Sequence, residues 1–248
     1  MNQITKIKQS NINFKKNKIL SSKNKVIAMV PVRAGSTRVT NKNTRPFVDT
    51  NLLELKLNLL KKVRGISQIV VSTDCKISAE IAYKNDISVQ WRDQYFAGSS
   101  ITNDKHWLHI AETTPGDIVF LAQVTSPFLR VSTIENALDS FFNITKHDSV
   151  NSVSLEKKFL WKNGNPMNYE YKITPKSQDL PDIYSLNFAI TIIKKEIMIK
   201  QKNVIGTRPK FITLDKIESI DIDDTTDFKI AELIYKEIGM KWLIEPRI

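Results

Sequence analysis

The chain has 248 residues, 41% of them hydrophobic and 25% charged, an ordinary globular composition with length for one large domain or two small ones. No stretch of about 18 apolar residues offers a membrane span, and the single cysteine, Cys75, excludes an internal disulfide, as expected of a cytoplasmic chain. The net charge of +11 suggests a nucleic-acid partner until it is located: residues 1–25 hold seven lysines and no acid, leaving 30 basic against 26 acidic residues elsewhere, or only +4.

Residues 1–25 have no sustained apolar period and lack the apolar stretch of a secretory signal, so they are predicted to form a poorly ordered basic tail. Neither a membrane nor a nucleic-acid partner is expected. From residue 26 the pattern changes. VIAMVPV is a continuous apolar run, the mark of a strand buried on both faces, and it feeds the polar loop RAGSTRVTNKN. NLLELKLNLLKKV then reads as a helix, QIVVSTD as a strand, KISAEIAYKND as a helix and ISVQW as a strand. KHWLHIAE is predicted helical and DIVFLAQV is the most apolar strand. STIENALDSFF is a helix opened by a capping box of Ser132 and Glu135, and SVNSVS is a strand. Residues 155–186, FLWKNGNPMNYEYKITPKSQDLPDIY at their centre, break the alternation and read as an inserted arm. LNFAITII resumes the sheet, and TDFKIAELIYKEIG closes the chain as a helix. The expected fold is α/β: a doubly wound, mainly parallel sheet with helices on both faces, spanning residues 26–248, with ligands at the carboxyl ends of its strands.

Two constellations carry chemistry. The loop after the first strand places Arg33, Ser36, Arg38, Lys42 and Asn43 around Gly35, a set of cations and hydrogen-bonding groups suited to a polyphosphate. It matches neither the Walker A pattern nor G-x-G-x-x-G, and taken alone it reads equally well as a solvated basic loop. In SIDIDDTTDF, an extended Ile220 to Asp223 puts Asp221 and Asp223 on one face, where two repelling carboxylates suit a hard divalent cation shared with phosphate oxygens. Capping by Asp224 or Asp227 and a solvated acidic turn account for the same residues. His106 and His109 lie three apart without a third ligand and read as surface or core histidines. Cys75, with no paired histidine, reads as packing.

In order along the chain, VPVRAGSTRVTNKN, IVVSTD, LAQVTSPFLR, LNFAI and SIDIDDTTDF resemble the CMP-sialate synthetase family of cytidylyltransferases, from about Val26 to Leu233. The resemblance implies an enzyme that transfers CMP from CTP to the anomeric hydroxyl of a 2-keto-3-deoxy (ulosonic or nonulosonic) sugar acid and releases pyrophosphate, in surface glycan synthesis. It assigns Arg33, Ser36, Arg38, Lys42, Asn43, Ser72, Asp74, Arg92 and Gln123 to the nucleotide, and Arg33 and Lys42, with Asp221 and Asp223, to catalysis. It gives Mg²⁺ to Asp221 and Asp223, and the sugar to Gln123, Lys176, Gln178, Tyr184, Asn187 and Phe188. It also implies a homodimer in which the arm crosses to the partner. Departures fall on the sugar side: Asn187-Phe188-Ala189 stands where relatives have Asn-Gly-Ala, and Lys176 stands for an arginine. Two other readings stay open, a nucleotidyltransferase for a sugar phosphate and a non-catalytic nucleotide- or RNA-binding descendant.

Overall fold

The computed structural model describes residues 24–245 apart from 37, 99, 144 and 145. The tail expected over residues 1–25 lies outside the described residues except for Asn24 and Lys25. The Asn24 N–H donates to Asp117 Oδ2 at 2.8 Å where the chain enters the sheet.

β1 (Val26–Pro31) is buried through Val30 because both of its faces are covered. Val26, Ala28 and Val30 point into one core and Ile27 and Met29 into the other, so an uninterrupted apolar run is what this strand requires. α1 (Leu52–Leu60) starts at Asn51, whose side chain accepts from the Glu54 N–H. β2 (Gln68–Thr73), α2 (Lys76–Lys84) and β3 (Ser88–Trp91) extend the sheet in parallel on one side of β1. The short α3 (Gln94–Ala97) and α4 (Asn103–Thr113) lead to β4 (Ile118–Leu121), parallel to β1 on its other side. α5 (Val131–Asn143), β5 (Ser149–Glu156), the two-residue strands β6 (Trp161–Lys162) and β7 (Asn165–Pro166), β8 (Ile183–Lys194), α6 (Lys195–Gln201), β9 (Pro209–Thr213) and α7 (Thr225–Ile244) follow. The main sheet has the order β3-β2-β1-β4-β8-β5-β9, and β8 alone runs antiparallel to its neighbours. α1, α5 and α7 contribute to the core on one face, α4 and α6 to the core on the other. This is the expected doubly wound, mainly parallel architecture. Among the described residues, no helix is long and apolar enough to cross a membrane.

Local expectations differ in several places, and α3, α6 and β9 are elements the sequence reading did not include. The capping box of Ser132 and Glu135 does not form: α5 begins at Val131, placing Ser132 inside its first turn, and the Glu135 carboxylate accepts from Arg64 instead, from its backbone N–H at 2.9 Å and its guanidinium at 2.6 and 3.0 Å. The ends of the arm belong to the sheet, since Leu155 pairs with Tyr184 and Glu156 with Ile183. Residues 220–223 form no strand, yet the predicted alternation holds, with Ile222 buried and both Asp221 and Asp223 outward. α7 runs beyond the expected helix but turns at Gly239, where φ is 59°. Asp224 and Asp227 cap α7 reciprocally.

Lys56 has a buried place that composition does not disclose. It is 2% exposed in the middle of α1, and its Nζ donates to the Ser126 carbonyl at 2.7 Å. Burial pushes its pKa down from 10.5 to about 7. Between those values the unfolded chain holds a proton that the folded chain lacks, so the stability contributed by this group rises with pH across that window and is lowest below about pH 7. Urea unfolding of Lys56→Met against the native chain is expected to show the variant's relative stability greatest at pH 6. Its advantage should shrink by on the order of 2–4 kcal/mol by pH 10. A pH-independent difference would contradict the assignment.

Candidate active site

The loop after β1 is held by hydrogen bonds at its root and again near α1. The Val32 N–H donates to the Ser72 carbonyl at 3.0 Å, and the Ala34 N–H donates to Asp74 Oδ1 at 2.8 Å. Gly35 turns the chain with φ at 70°. Farther on, the N–H groups of Thr44 and Arg45 both donate to the Asn41 carbonyl, and the Asn43 carbonyl accepts from Leu53 in the first turn of α1. The loop thus borders a cavity of about 550 Å³ beyond the carboxyl ends of β1 and β4. Seven of the residues singled out for the nucleotide line it: Arg33, Ser36, Arg38, Lys42, Asn43, Arg92 and Gln123. Ser72 and Asp74 do not; they shape the root of the loop. Arg92, only 5% exposed, donates from its guanidinium to the Val32 carbonyl at 3.0 Å. Its desolvation lowers its pKa despite the attraction of Asp74.

The acidic segment meets this loop directly. Lys42 Nζ donates to the Ile222 carbonyl at 2.6 Å, and the Ile222 N–H donates to the Thr125 carbonyl at 2.9 Å. Ile222 has no exposed surface, so it pins the aspartates on either side of it. Arg38 pairs with Asp223 at 2.8 Å across solvent, an exposed contact of small energetic worth. The pKa of Asp221 is raised, chiefly by desolvation in the cleft and then by the charge of Asp223, against a hydrogen bond from Thr125. The pKa of Lys42 is lowered by desolvation, with Asp221 and Asp223 opposing the shift.

A second cavity of about 530 Å³ adjoins the first, and Asn103, Trp107, Gln123 and Thr125 line both. Asp223 borders the first and Asp221 the second. Of the residues singled out for a sugar, Gln123, Asn187 and Phe188 line this second cavity. Lys176, Gln178 and Tyr184 do not; they are exposed on the arm and on β8. Trp107, Lys202, Asn203, Val204 and Ile205 also line it. The sequence reading had no pattern that singled these out.

Asn187 and Phe188 lie where β8 bulges. The register against β5 slips between Asn151 and Val153, and the extra residues on β8 form a bulge in which Ala189 and Ile190 stay buried while Phe188 is exposed. Asn187 holds the bulge: its side chain accepts from Ser152 and from the Ala189 N–H and donates to Ser154. Phe188 takes φ of 54°, a left-handed conformation uncommon for a bulky side chain, and the residue is 41% exposed at the cavity wall.

Comparison with known proteins follows the same lines. The CMP-N,N'-diacetyllegionaminic acid synthase of Legionella pneumophila is 29% identical over 226 residues, covering 84% of this chain and 95% of the relative. The N-acylneuraminate cytidylyltransferase of Escherichia coli O18:K1:H7 is 27% identical over 222 residues, covering 86% of this chain and 52% of the relative. Among solved structures, a CMP:2-keto-3-deoxy-manno-octonic acid synthetase in complex with CTP superposes with a TM-score of 0.62 at 11% identity, over 86% of this chain and 99% of that one. A 4-diphosphocytidyl-2C-methyl-D-erythritol synthase from Anaerococcus prevotii superposes with a TM-score of 0.65 at 14% identity, over 87% and 97%. At such identities the superpositions speak for the fold. The family model described as cytidylyltransferase matches residues 27–237, which hold the loop after β1, both cavities and the acidic segment. The chain therefore belongs to the cytidylyltransferases, in the CMP-sialate synthetase family.

Proposed function

We propose that the protein transfers CMP from CTP to the anomeric hydroxyl of a 2-keto-3-deoxy sugar acid of the nonulosonic class, with CTP in the first cavity and the acid in the second. The observation that carries this reading is the junction at Gln123 and Thr125, where two cavities of similar size meet between Asp221 and Asp223. The relatives named for legionaminic and neuraminic acids support this acceptor class, and the activated sugar acid would serve surface glycan synthesis.

In this reading Arg33, Arg38 and Lys42 neutralise the triphosphate, and Arg92, fixed under the loop, adds positive potential from below. Gln123 lies between the two substrates. The sugar hydroxyl attacks the α-phosphorus in line, a new P–O bond replaces the α–β bridging bond, pyrophosphate leaves, and the hydroxyl proton passes to solvent. Such a transfer is limited by charge and positioning, which a set of fixed cations supplies. The donor set of Asp221 and Asp223 fits Mg²⁺: both are hard carboxylates, they repel each other, and an ion held by one or two carboxylates normally completes its shell with substrate phosphates. Mg²⁺ there would neutralise developing charge on the phosphates.

The arm extends the reading to a homodimer. Phe159 and Tyr169 pack edge to face at 5.1 Å, and Trp161 and Tyr171 at 5.9 Å. Yet Trp161 and Tyr171 remain 47% and 71% exposed, and on β8 Tyr184 and Leu186 present a further apolar strip. A partner copy would cover these surfaces and could bring Lys176 and Gln178 to the second cavity.

Pyrophosphate release with Mg²⁺ and CTP over a panel of 2-keto-3-deoxy sugar acids and sugar phosphates tests the reaction. Turnover is expected with CTP and a sugar acid, and Asp223→Asn is expected to lower it by about 100-fold or more. Turnover with sugar phosphates alone would replace the acceptor, and no turnover by a chain that binds CTP would favour a non-catalytic descendant. Light scattering after size exclusion is expected to give twice the chain mass of 28.4 kDa, and a monomer would remove the arm exchange.

A further inference from the structure

The first cavity is uneven in character. Arg38, Lys42 and Asp223 gather where the loop meets the acidic segment, bound by the Arg38 ion pair and the Lys42 hydrogen bond. Phe96, Ala97, Ile101, His106 and Trp107, from α3, α4 and the turn between them, give another part of the wall an apolar cast. A nucleoside triphosphate fits such a division with its phosphates among the cations and its base against the rings.

His106 is the one titratable group on that apolar wall, and the reaction above gives it no part. Its Nδ1 lies 3.3 Å from the Phe96 carbonyl oxygen. A carbonyl can only accept, so Nδ1 carries the hydrogen. Burial, reinforced by the charges of Arg92 and Arg33, pushes the pKa of the ring down to about 4. The imidazole is therefore neutral near pH 7, its tautomer is set by Phe96, and Nε2 holds an unprotonated lone pair. Trp107 packs edge-on against the ring at 4.7 Å, which helps to hold its orientation. The cationic groups of this cavity, Arg33, Arg38, Lys42 and Arg92, can only donate, so a neutral histidine supplies the opposite polarity.

Cytosine and uracil differ at position 4, where cytosine carries an amine that donates and uracil a carbonyl oxygen that only accepts. An acceptor atom in the wall pairs with the first and repels the second. We propose that His106 Nε2 accepts a hydrogen bond from the 4-amino group of cytosine and so makes this site select CTP over UTP. The assignment rests on reading the first cavity as the nucleotide pocket. A site built to hydrogen-bond one base pays a large penalty for the isostere that leaves its polar atom unpaired.

Isothermal titration of the full chain with CTP and with UTP, each with Mg²⁺ and no acceptor, tests it. The native chain is expected to bind CTP at least about tenfold more tightly than UTP. His106→Leu is expected to weaken CTP by roughly 10- to 100-fold while UTP changes by less than about threefold, so that the preference collapses. His106→Phe keeps the ring volume and serves the same purpose if the leucine variant does not fold. A folded variant that keeps the native CTP to UTP ratio overturns the role of His106 and leaves the nucleotide pocket standing. A native chain that binds neither nucleotide overturns the pocket itself, and the assignment with it.

Discussion

The peptide of Ile222 is gripped from two sides, and the arrangement of the cleft depends on that grip. Its carbonyl takes the Lys42 ammonium at 2.6 Å and its N–H gives to the Thr125 carbonyl at 2.9 Å, while its side chain is sealed in the core. The three contacts join the loop after β1, the turn after β4 and the segment before α7, three stretches far apart in sequence. Because the buried residue sits between Asp221 and Asp223, holding it aims one carboxylate at each cavity. Lys42 thus has a structural partner and a charge to offer a phosphate, and a hydrogen bond from an ammonium to a buried carbonyl is among the stronger kinds. Lys56 reinforces the same region from beneath, with its Nζ on the carbonyl of Ser126, next to Thr125.

The central sheet was readable because burial on two faces leaves a sequence mark that few other arrangements leave. β1 and β4 divide their side chains between two cores, so neither tolerates a polar position. The acidic segment was readable for a related reason: Ile222 had to be buried and its neighbours could not be, with or without a strand. The capping box failed because its two residues are common and Glu135 had a better partner, the Arg64 guanidinium, which no local pattern reveals. β9 escaped notice for want of a signal, since it is a short edge strand of half-exposed residues opening with proline.

Within the cleft, charge marks Arg33, Arg38, Lys42 and Asp223 in the sequence but does not single out Lys202, and it says nothing of shape or tautomer. Arg33, Arg38, Lys42 and Asp223 announce themselves by charge, and they converge on one cavity. His106 does not, because a histidine on an amphipathic helix is unremarkable until Phe96 and the surrounding cations fix its proton. Phe188 was visible as a departure from a glycine, but its consequence is three-dimensional. It takes the left-handed backbone of the bulge, with Asn187 braced on Ser152 and Ser154, and puts a ring on the wall of the second cavity.

In the proposed reaction, Asp221 and Asp223, fixed around Ile222, would form an incomplete cation site that a nucleoside triphosphate completes. Electron paramagnetic resonance of Mn²⁺ titrated into the protein tests this most directly. Weak binding without nucleotide, a marked tightening with CTP, and loss of the tightening in Asp223→Asn are the expected results. Tight Mn²⁺ binding without CTP, or tightening that survives Asp223→Asn, would contradict the account.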